Sequence, residues 1–183
     1  RIYLRVFGGW DFNKRDLSHK RYPRNGYAKG VPMGGDLPER KGAKSPSFLI
    51  HAGSDSKGAN LDRVQVIKGW VDSQGQSFER VYDVAWAGED RLGAGKKLAA
   101  IGNTVNLETA TYTNSIGAPL LSTVWRDPDF KPELSAFYYV RVIEIPTPRH
   151  ALADALALGM VKPDRGPAVI QERAYSSPIW YAP

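Results

Sequence analysis

The sequence predicts a mainly β protein, an antiparallel β-sandwich of the immunoglobulin or fibronectin type. Seven or eight short segments alternate apolar and polar residues or are rich in β-branched and aromatic residues, and turn residues separate them. The 13 prolines and 18 glycines are spread along the 183 residues, which favours many turns and few long helices. One short helix near 151–158 and a long N-terminal loop segment complete the predicted architecture.

The first predicted strand covers residues 1–7. Ile2, Leu4 and Val6 point to one face, and the residues between them point to the other. Because the chain opens directly on a strand, we expect it to be a piece of a longer protein.

The next strands follow after a long aperiodic stretch. Residues 47–52 form a short apolar run that is typical of a buried strand. Residues 61–71 and 78–86 flank a turn-rich connection at 72–75, which predicts a β-hairpin.

The second half of the chain predicts further strands and the single helix. Strands are expected at 104–113 and 120–125, followed by a turn at 127–132 and the strongest strand at 136–145. Pro146 and Pro148 end that strand because proline cannot donate to a sheet ladder. The helix at 151–158 is closed by Gly159, and a last strand at 168–175 and 178–181 has a kink at 176–178.

Positive charge is concentrated in the first 46 residues. They hold 11 lysines and arginines against 4 aspartates and glutamates, whereas the whole chain has a net charge of +6. This surplus suits an anionic substrate or nucleic acid, and equally a solvated loop or a contact with an acidic neighbouring domain. Nucleic acid is not expected as a partner, because the sequence predicts no strand-borne aromatic platform. The basic cluster comprises Lys14, Arg15, Lys20, Arg21, Arg24 and Lys29.

Composition excludes several kinds of site. The chain has no cysteine, so disulfides, thiolate metal sites and cysteine nucleophiles are excluded. No apolar run approaches the roughly 18 residues of a membrane span, and no membrane partner is expected. Neither feature distinguishes periplasm from cytoplasm.

The motifs of common catalytic and metal sites are missing from the sequence. The three histidines, His19, His51 and His150, form no HxH or HExxH pattern, and His51 lies in an apolar strand where a structural role is expected. There is no GxSxG elbow and no phosphate-binding loop of the GxxxxGK[ST] kind. Asp127 and Asp129 lie in a predicted turn, where aspartate is common for backbone reasons. We therefore expect no catalytic residue and no metal site built by this chain alone.

The aromatic residues leave a second interpretation open, which is carbohydrate recognition by ring stacking. Most of them lie in predicted strands, where core packing explains them as well. The aromatic candidates are Trp10, Tyr22, Tyr27, Trp70, Trp86, Trp125 and Trp180.

Several segments together resemble the C-terminal region of a bacterial family catalogued as domain of unknown function 3604. The resemblance covers nearly the whole chain, and the combination of GVPMGGDLP, IPTPR and RAYSSPIWY is specific. The segments that carry it are IYLRVFGGWDF (2–12), GYAKGVPMGGDLP (26–38), GANLDRVQVIKGWVD (58–72), VYDVAW (81–86), GNTVNLETATYTNSIGAPLLSTVWRDPDF (102–130), FYYVRVIEIPTPR (137–149) and IQERAYSSPIWYAP (170–183).

The resemblance implies a non-catalytic portion of a larger enzyme. Proteins of that family carry an N-terminal part that resembles the PHP metallohydrolases, whose His and Asp ligands hold divalent metal ions on a distorted barrel. None of those ligand motifs occurs here, so a metal cofactor is implied only for the missing N-terminal part. That part would be the main partner, self-association is a further expectation, and the barrel would be followed by a β-sandwich.

The resemblance also implies a domain organisation and a set of site residues. Residues 1–46 would wrap or contact the barrel, and residues 47–183 would form the sandwich. If the loop lies across the mouth of the site, the substrate-contacting candidates are Arg21, Arg24, Tyr27, Met33, Asp36 and Arg149. Arginine suits a carboxylate or phosphate because its planar fork donates two parallel hydrogen bonds. Alternatively, these residues only attach the sandwich to the barrel. A stand-alone carbohydrate- or ligand-binding module and a purely structural or interaction domain are the rival hypotheses.

Overall fold

The computed structural model describes residues 1–18, 21–39, 42, 44–93 and 98–183, except for the side chain of Asp90. His19 and Lys20 therefore lie outside the described residues. In chain order the strands are β1 (Ile2–Gly9), β2 (Gly30–Pro32), β3 (Ser47–Ser54), β4 (Leu61–Val71), β5 (Ser77–Trp86), β6 (Leu120–Arg126), β7 (Ala136–Glu144), β8 (Thr147–Pro148), β9 (Val169–Ile170), β10 (Arg173–Tyr175) and β11 (Ile179–Tyr181). The α-helices are α1 (Tyr22–Lys29) and α2 (His150–Ala157), and short 3₁₀ turns occupy Lys14–Leu17 and Glu89–Arg91.

The described strands form two antiparallel sheets and one small ribbon. The first sheet has the order β2-β1-β3-β6, and the second has the order β10-β7-β4-β5, with β11 also pairing with β7. Strands β8 and β9 form the ribbon. This arrangement confirms the predicted mainly β, antiparallel sandwich.

The core lies between the two sheets and follows the period-2 pattern of the strands. Alternate residues of β7, such as Tyr138 and Val142, are buried, and their neighbours are only partly covered. Phe48 and Ile50 of β3 contribute to the same cluster from the first sheet. Burying one such apolar side chain stabilises the fold by about 1.5–3 kcal/mol.

The predicted hairpin is confirmed as β4 and β5. These strands pair antiparallel, with Trp70 opposite Phe78 next to the turn. The Asp72 carboxylate accepts hydrogen bonds from the backbone N–H groups of Gln74 and Gln76 at 2.8 and 2.9 Å. Gly75 has a φ of 79°, a conformation that favours glycine.

The predicted helix near 151–158 is confirmed as α2, and Gly159 follows it with a φ of 74°. The kinked last strand is confirmed only in part, since β10 and β11 are separate and both pair with β7. Residues 169–170, predicted to belong to the same strand, form β9 and pair with β8 instead. The kink is held at Ser176, whose hydroxyl accepts a hydrogen bond from the Val140 N–H at 2.9 Å.

The prediction of a strand at 104–113 is wrong. This segment forms turns with a single bridge between Asn106 and Thr111. The Asn106 side-chain oxygen accepts hydrogen bonds from the N–H groups of Glu108 and Thr109, and Ala110 has a positive φ of 49°. Asparagine side chains offer the backbone a local alternative to a sheet ladder, which explains the difference.

The long N-terminal segment also differs from the prediction, because it is not only loop. It contains the 3₁₀ turn and helix α1, a helix additional to the one predicted from the sequence. Helix α1 covers the outer face of the first sheet. Phe7, Phe12, Tyr22 and Leu49 form a second buried cluster under this cover. Strand β1 pairs with β3 along its whole length, so residues 2–9 and 47–54 belong to one sheet.

Helix α1 packs closely against β1 at Gly26, which contacts the Phe7 ring. A Cβ added there would lie 2.5 Å from the Phe7 ring, so only glycine allows this contact. Tyr22 stacks on the His51 ring with centroids 4.1 Å apart, and the His51 Nδ1 lies 2.8 Å from the Ser122 hydroxyl. Burial and the hydrogen bond with the Tyr3 hydroxyl raise the pKa of Tyr22 to about 12. These contacts confirm the structural role expected for His51.

Candidate functional site

Three of the six predicted site residues lie on or beside α1. Arg21 occupies the N-cap position, and Arg24 and Tyr27 lie on the exposed surface of the helix. Tyr27 is 63% exposed, although the edge of its ring contacts Phe7 with centroids 4.9 Å apart. They lie above the outer face of the first sheet.

The other three predicted residues lie in two further places. Met33 and Asp36 follow β2, where Met33 packs partly against the core and Asp36 is exposed. Arg149 is exposed at the N-cap position of α2, and its N–H donates to the Ala168 carbonyl at 2.9 Å. Because α1 leads directly into β2, five of the six predicted residues lie on or beside α1 or on the segment that follows β2, and Arg149 lies in a different part of the fold.

Residues 33–37 contact residues 177–181 through the backbone, and we call this contact the junction. The Gly34 N–H donates to the Pro178 carbonyl at 2.9 Å, and the Leu37 N–H donates to the Trp180 carbonyl at 2.8 Å. In return, the Trp180 N–H donates to the Gly35 carbonyl at 3.1 Å. The junction links the β2 edge of the first sheet to β11 of the second sheet.

The junction divides its side chains between the core and the surface. Ile179 and Tyr181 are buried in the main core cluster, and Leu37 packs against it. Asp36 and Trp180 are exposed, and Trp180 is 48% exposed. The hydrogen bonds of the junction hold the backbone that carries Asp36 and Trp180, which favours a preorganised contact surface.

An aromatic row continues from Trp180 along the outer face of the second sheet. The Trp180 and Phe137 ring centroids are 5.4 Å apart, and Phe137 and Tyr139 are 6.4 Å apart with nearly parallel planes. Tyr139 in turn lies 6.3 Å from Tyr175. Of these four residues, only Trp180 was an aromatic candidate from the sequence, although Phe137 and Tyr139 lie two apart in the strongest predicted strand, a spacing that indicates a shared face.

A shallow cleft opens beside this row. It has a volume of about 590 Å³ and reaches from Trp180 and Phe137 to Trp70 and Phe78 at the end of the β4–β5 hairpin. Trp70 and Phe78 stack with centroids 5.5 Å apart, which places two parallel rings in its wall.

A second cavity, of about 230 Å³, lies on the other side of Trp70. We call it the charged cavity; it is lined by Lys68, Trp70, Arg80, Asp129, Phe130, Lys131, Leu134 and Ala136. The two cavities share Trp70 and Ala136, so they are neighbours.

A buried ion pair between Lys68 and Asp127 holds one side of the charged cavity in place. Lys68 Nζ lies 2.6 Å from the Asp127 carboxylate, and these side chains are 5% and 0% exposed. The Tyr138 hydroxyl donates to the same carboxylate at 2.7 Å, and Lys68 also donates to the Asp129 carbonyl at 2.8 Å. Burial, together with the Asp127 charge, raises the pKa of Tyr138 far above its ordinary value, so its hydroxyl remains a donor.

Asp129 anchors the rim of the charged cavity. Its carboxylate accepts hydrogen bonds from the Arg80 guanidinium and the Tyr82 hydroxyl, each at 2.7 Å. Burial and the hydrogen bond to Asp129 raise the pKa of Tyr82 well above its usual range. Both Asp127 and Asp129 therefore lie in the predicted turn but also hold side chains of the second sheet.

Within the described residues, no group of three or more His, Cys, Asp or Glu side chains is arranged to hold a metal ion. No helix of this part of the chain combines the length and apolar character needed to cross a membrane.

A family model described as "Protein of unknown function (DUF3604)" matches residues 1–183. The chain belongs to this family. Searches among curated proteins and among solved structures find no match to the DUF3604 chain.

The fold brings together two of the sequence segments that make the DUF3604 chain distinctive. GVPMGGDLP (30–38) and the SSPIWY part of the last segment (176–181) are separated by more than a hundred residues, and the junction joins them by three backbone hydrogen bonds. Two predicted site residues, Met33 and Asp36, lie in the first of these segments.

Proposed function

We propose that this chain is the non-catalytic β-sandwich portion of a PHP-like metal-dependent hydrolase. Its role is to shape or cover a substrate site on the N-terminal part of that protein. The junction carries this proposal, because it fixes the two distinctive segments against each other and still presents Asp36 and Trp180 at the surface.

The surroundings of the junction support a contact with another body. Trp180 continues into the aromatic row, and large partly exposed rings are typical anchors of interfaces. On the other side, β2 connects the junction to α1 with its exposed Arg21 and Arg24. In this proposal these cations attract an anionic substrate toward the adjacent site.

In this proposal the reactive groups belong to the N-terminal part. Divalent metal ions held by His and Asp ligands there would activate water for attack on a phosphoester, amide or similar bond. The sandwich would contribute positioning and exclusion of water.

The first test concerns the polypeptide encoded before Arg1. We expect several hundred preceding residues with HxH and further His/Asp ligand motifs.

In the protein that comprises both parts, loaded with Mn²⁺, Trp180→Ala is expected to lower kcat/KM for bis(p-nitrophenyl) phosphate about tenfold, because substrate positioning is lost. Steady-state hydrolysis measures this effect.

Leu158→Ala is the matched control, because Leu158 is 77% exposed but lies after α2, away from the junction. Trp180→Phe retains a ring and should recover most of the activity if the ring contact matters. A preceding sequence without metal-ligand motifs would contradict the proposal, as would a Trp180→Ala enzyme that matches the Leu158→Ala control.

The aromatic row favours a second candidate function, a carbohydrate-binding module. Sugar rings stack on exposed aromatic faces, and four aromatic side chains follow one another along the second sheet. In a titration of this chain with a panel of linear glycans, we expect quenching of tryptophan fluorescence that Trp180→Ala removes. A signal that is unchanged across the panel would eliminate this candidate.

A further inference from the structure

The charged cavity combines an apolar wall with a rim of cations. Trp70, Phe130, Leu134 and Ala136 supply the apolar surface, and Lys68, Arg80 and Lys131 supply the positive charges. Its volume of about 230 Å³ suits a ligand with one six-membered ring and a small polar group.

The ion pairs around the cavity leave one positive charge in excess. Lys68 pairs with Asp127, and Arg80 pairs with Asp129. For Lys131, no carboxylate of the described residues lies within ion-pairing distance, and its side chain is exposed at the rim. The local balance therefore favours a ligand with a single negative charge.

Arg80 is able to bind an anion while it stays paired with Asp129. Within the part of the chain that the structure describes, its side chain donates a hydrogen bond only through NH1, to Asp129, and its guanidinium also lies 5.4 Å from the centroid of the Tyr82 ring. A guanidinium has five N–H donors in a fixed plane, so donors on Nε and NH2 remain for a carboxylate. The side chain is 58% exposed, which allows a ligand to approach it.

The walls of the cavity are held in place before any ligand arrives. Trp70 stacks on Phe78, and Phe130 makes edge contacts with the Trp10 and Tyr181 rings at 5.8 and 5.0 Å. Lys68 is held by its ion pair with the Asp127 carboxylate and its hydrogen bond to the Asp129 carbonyl. Preorganised walls lower the entropic cost of binding.

From this geometry we infer that the charged cavity is a binding site for a small organic monoanion, a carboxylate attached to one six-membered ring. The ring packs against Trp70 and Phe130, and the carboxylate lies between Arg80 and Lys131. The inference concerns this chain's own cavity and does not rest on the proposed role beside a hydrolase.

The test uses isothermal titration calorimetry of this chain with glucuronate and with benzoate, which represent sugar and aromatic versions of the same chemistry. Glucose and benzamide are the neutral counterparts. We expect at least one of the two carboxylates to bind more tightly than its neutral counterpart. Lys131→Ala should then weaken that binding roughly fivefold, as expected for one exposed ion pair, and Lys131→Glu should weaken it further.

Lys57→Ala is the matched control, because Lys57 is an exposed lysine in a turn beside the Arg1 end of the sandwich, away from the cavity. It should bind as the unmodified chain does. Lys131 lies on an exposed turn, so its replacement is expected to leave the fold intact, and circular dichroism verifies this. The inference is overturned if neither carboxylate binds, if the neutral compounds bind equally well, or if the folded Lys131→Ala chain keeps full affinity.

Discussion

Asp127→Ala is expected to lower the free energy of unfolding by about 3–5 kcal/mol. The Asp127 side chain is fully buried and is the ion-pair partner of Lys68, which is itself 5% exposed. Removing the carboxylate takes the ion-pair partner away from the buried Lys68 ammonium and removes the acceptor of the Tyr138 hydroxyl. Removing one partner of a buried pair in this way costs far more than losing an exposed ion pair. Urea denaturation followed by tryptophan fluorescence measures the change.

Two further variants isolate the cause of this loss. Asp154→Ala replaces an exposed carboxylate on α2 and should change stability by less than about 0.5 kcal/mol. The double variant Lys68→Met/Asp127→Leu removes both charges and should recover much of the stability, because well-packed apolar residues often replace a buried pair without loss. If Asp127→Ala behaved like Asp154→Ala, the buried ion pair would not be a major source of stability.

Gly30→Ala is expected to cost about 3 kcal/mol of stability and to disturb the junction. A Cβ at Gly30 would lie 2.1 Å from the Gly8 carbonyl oxygen and 2.9 Å from the Phe12 ring. A backbone oxygen cannot rotate away as a flexible side chain does, so β2 would have to move away from β1. Since β2 leads into residues 33–37, the Gly34–Pro178 hydrogen bond would weaken with it. Urea denaturation and amide hydrogen exchange at Gly34 and Trp180 measure both effects.

Gly53→Ala provides the comparison for this second prediction. Gly53 also lies in a strand of the first sheet, but the nearest atom to its added Cβ would be 3.8 Å away, an ordinary contact. We expect a change of less than about 1 kcal/mol, since alanine also restricts the unfolded chain. Equal effects of the two substitutions would mean that the close approach at Gly30 is relieved at little cost.

Parts of the fold were predictable because the local pattern and the tertiary environment agree. The residues of β7 are mostly β-branched or aromatic, a composition typical of strands, and in the structure they form a strand between β10 and β4 of the second sheet. The β4–β5 hairpin was predictable for a second reason, since the Asp72–Gly75 turn has residues suited to its conformation.

Other parts were not predictable because distant contacts decide them. Helix α1 contains Pro23 and Gly26 and has little apolar periodicity, so its sequence does not favour a helix. It is stabilised by the contact of Gly26 with Phe7 and the stacking of Tyr22 on His51. The wrong strand at 104–113 has the opposite origin, because asparagine side chains form local turns where alternation suggested a strand.

The candidate sites follow the same division. The sequence identified Met33, Asp36 and Trp180 as notable residues, but the junction that joins them depends on three backbone hydrogen bonds between distant segments. The charged cavity could not be predicted from the sequence, because Asp127 and Asp129 have the pattern of ordinary turn residues. Only the packing of the turn against β4 and β5 places them beside Lys68 and Arg80.

By itself, the sequence determined the sheet-rich class of this DUF3604 chain, most of its strands and the residues that carry the family resemblance. These properties follow from local periodicity and turn chemistry, which act over a few residues. The tertiary structure decided the cover of the first sheet by α1, the meeting of the two distinctive segments and the pairing of the buried charges. Each of these depends on contacts between residues far apart in the chain, and a one-dimensional pattern does not record such distances.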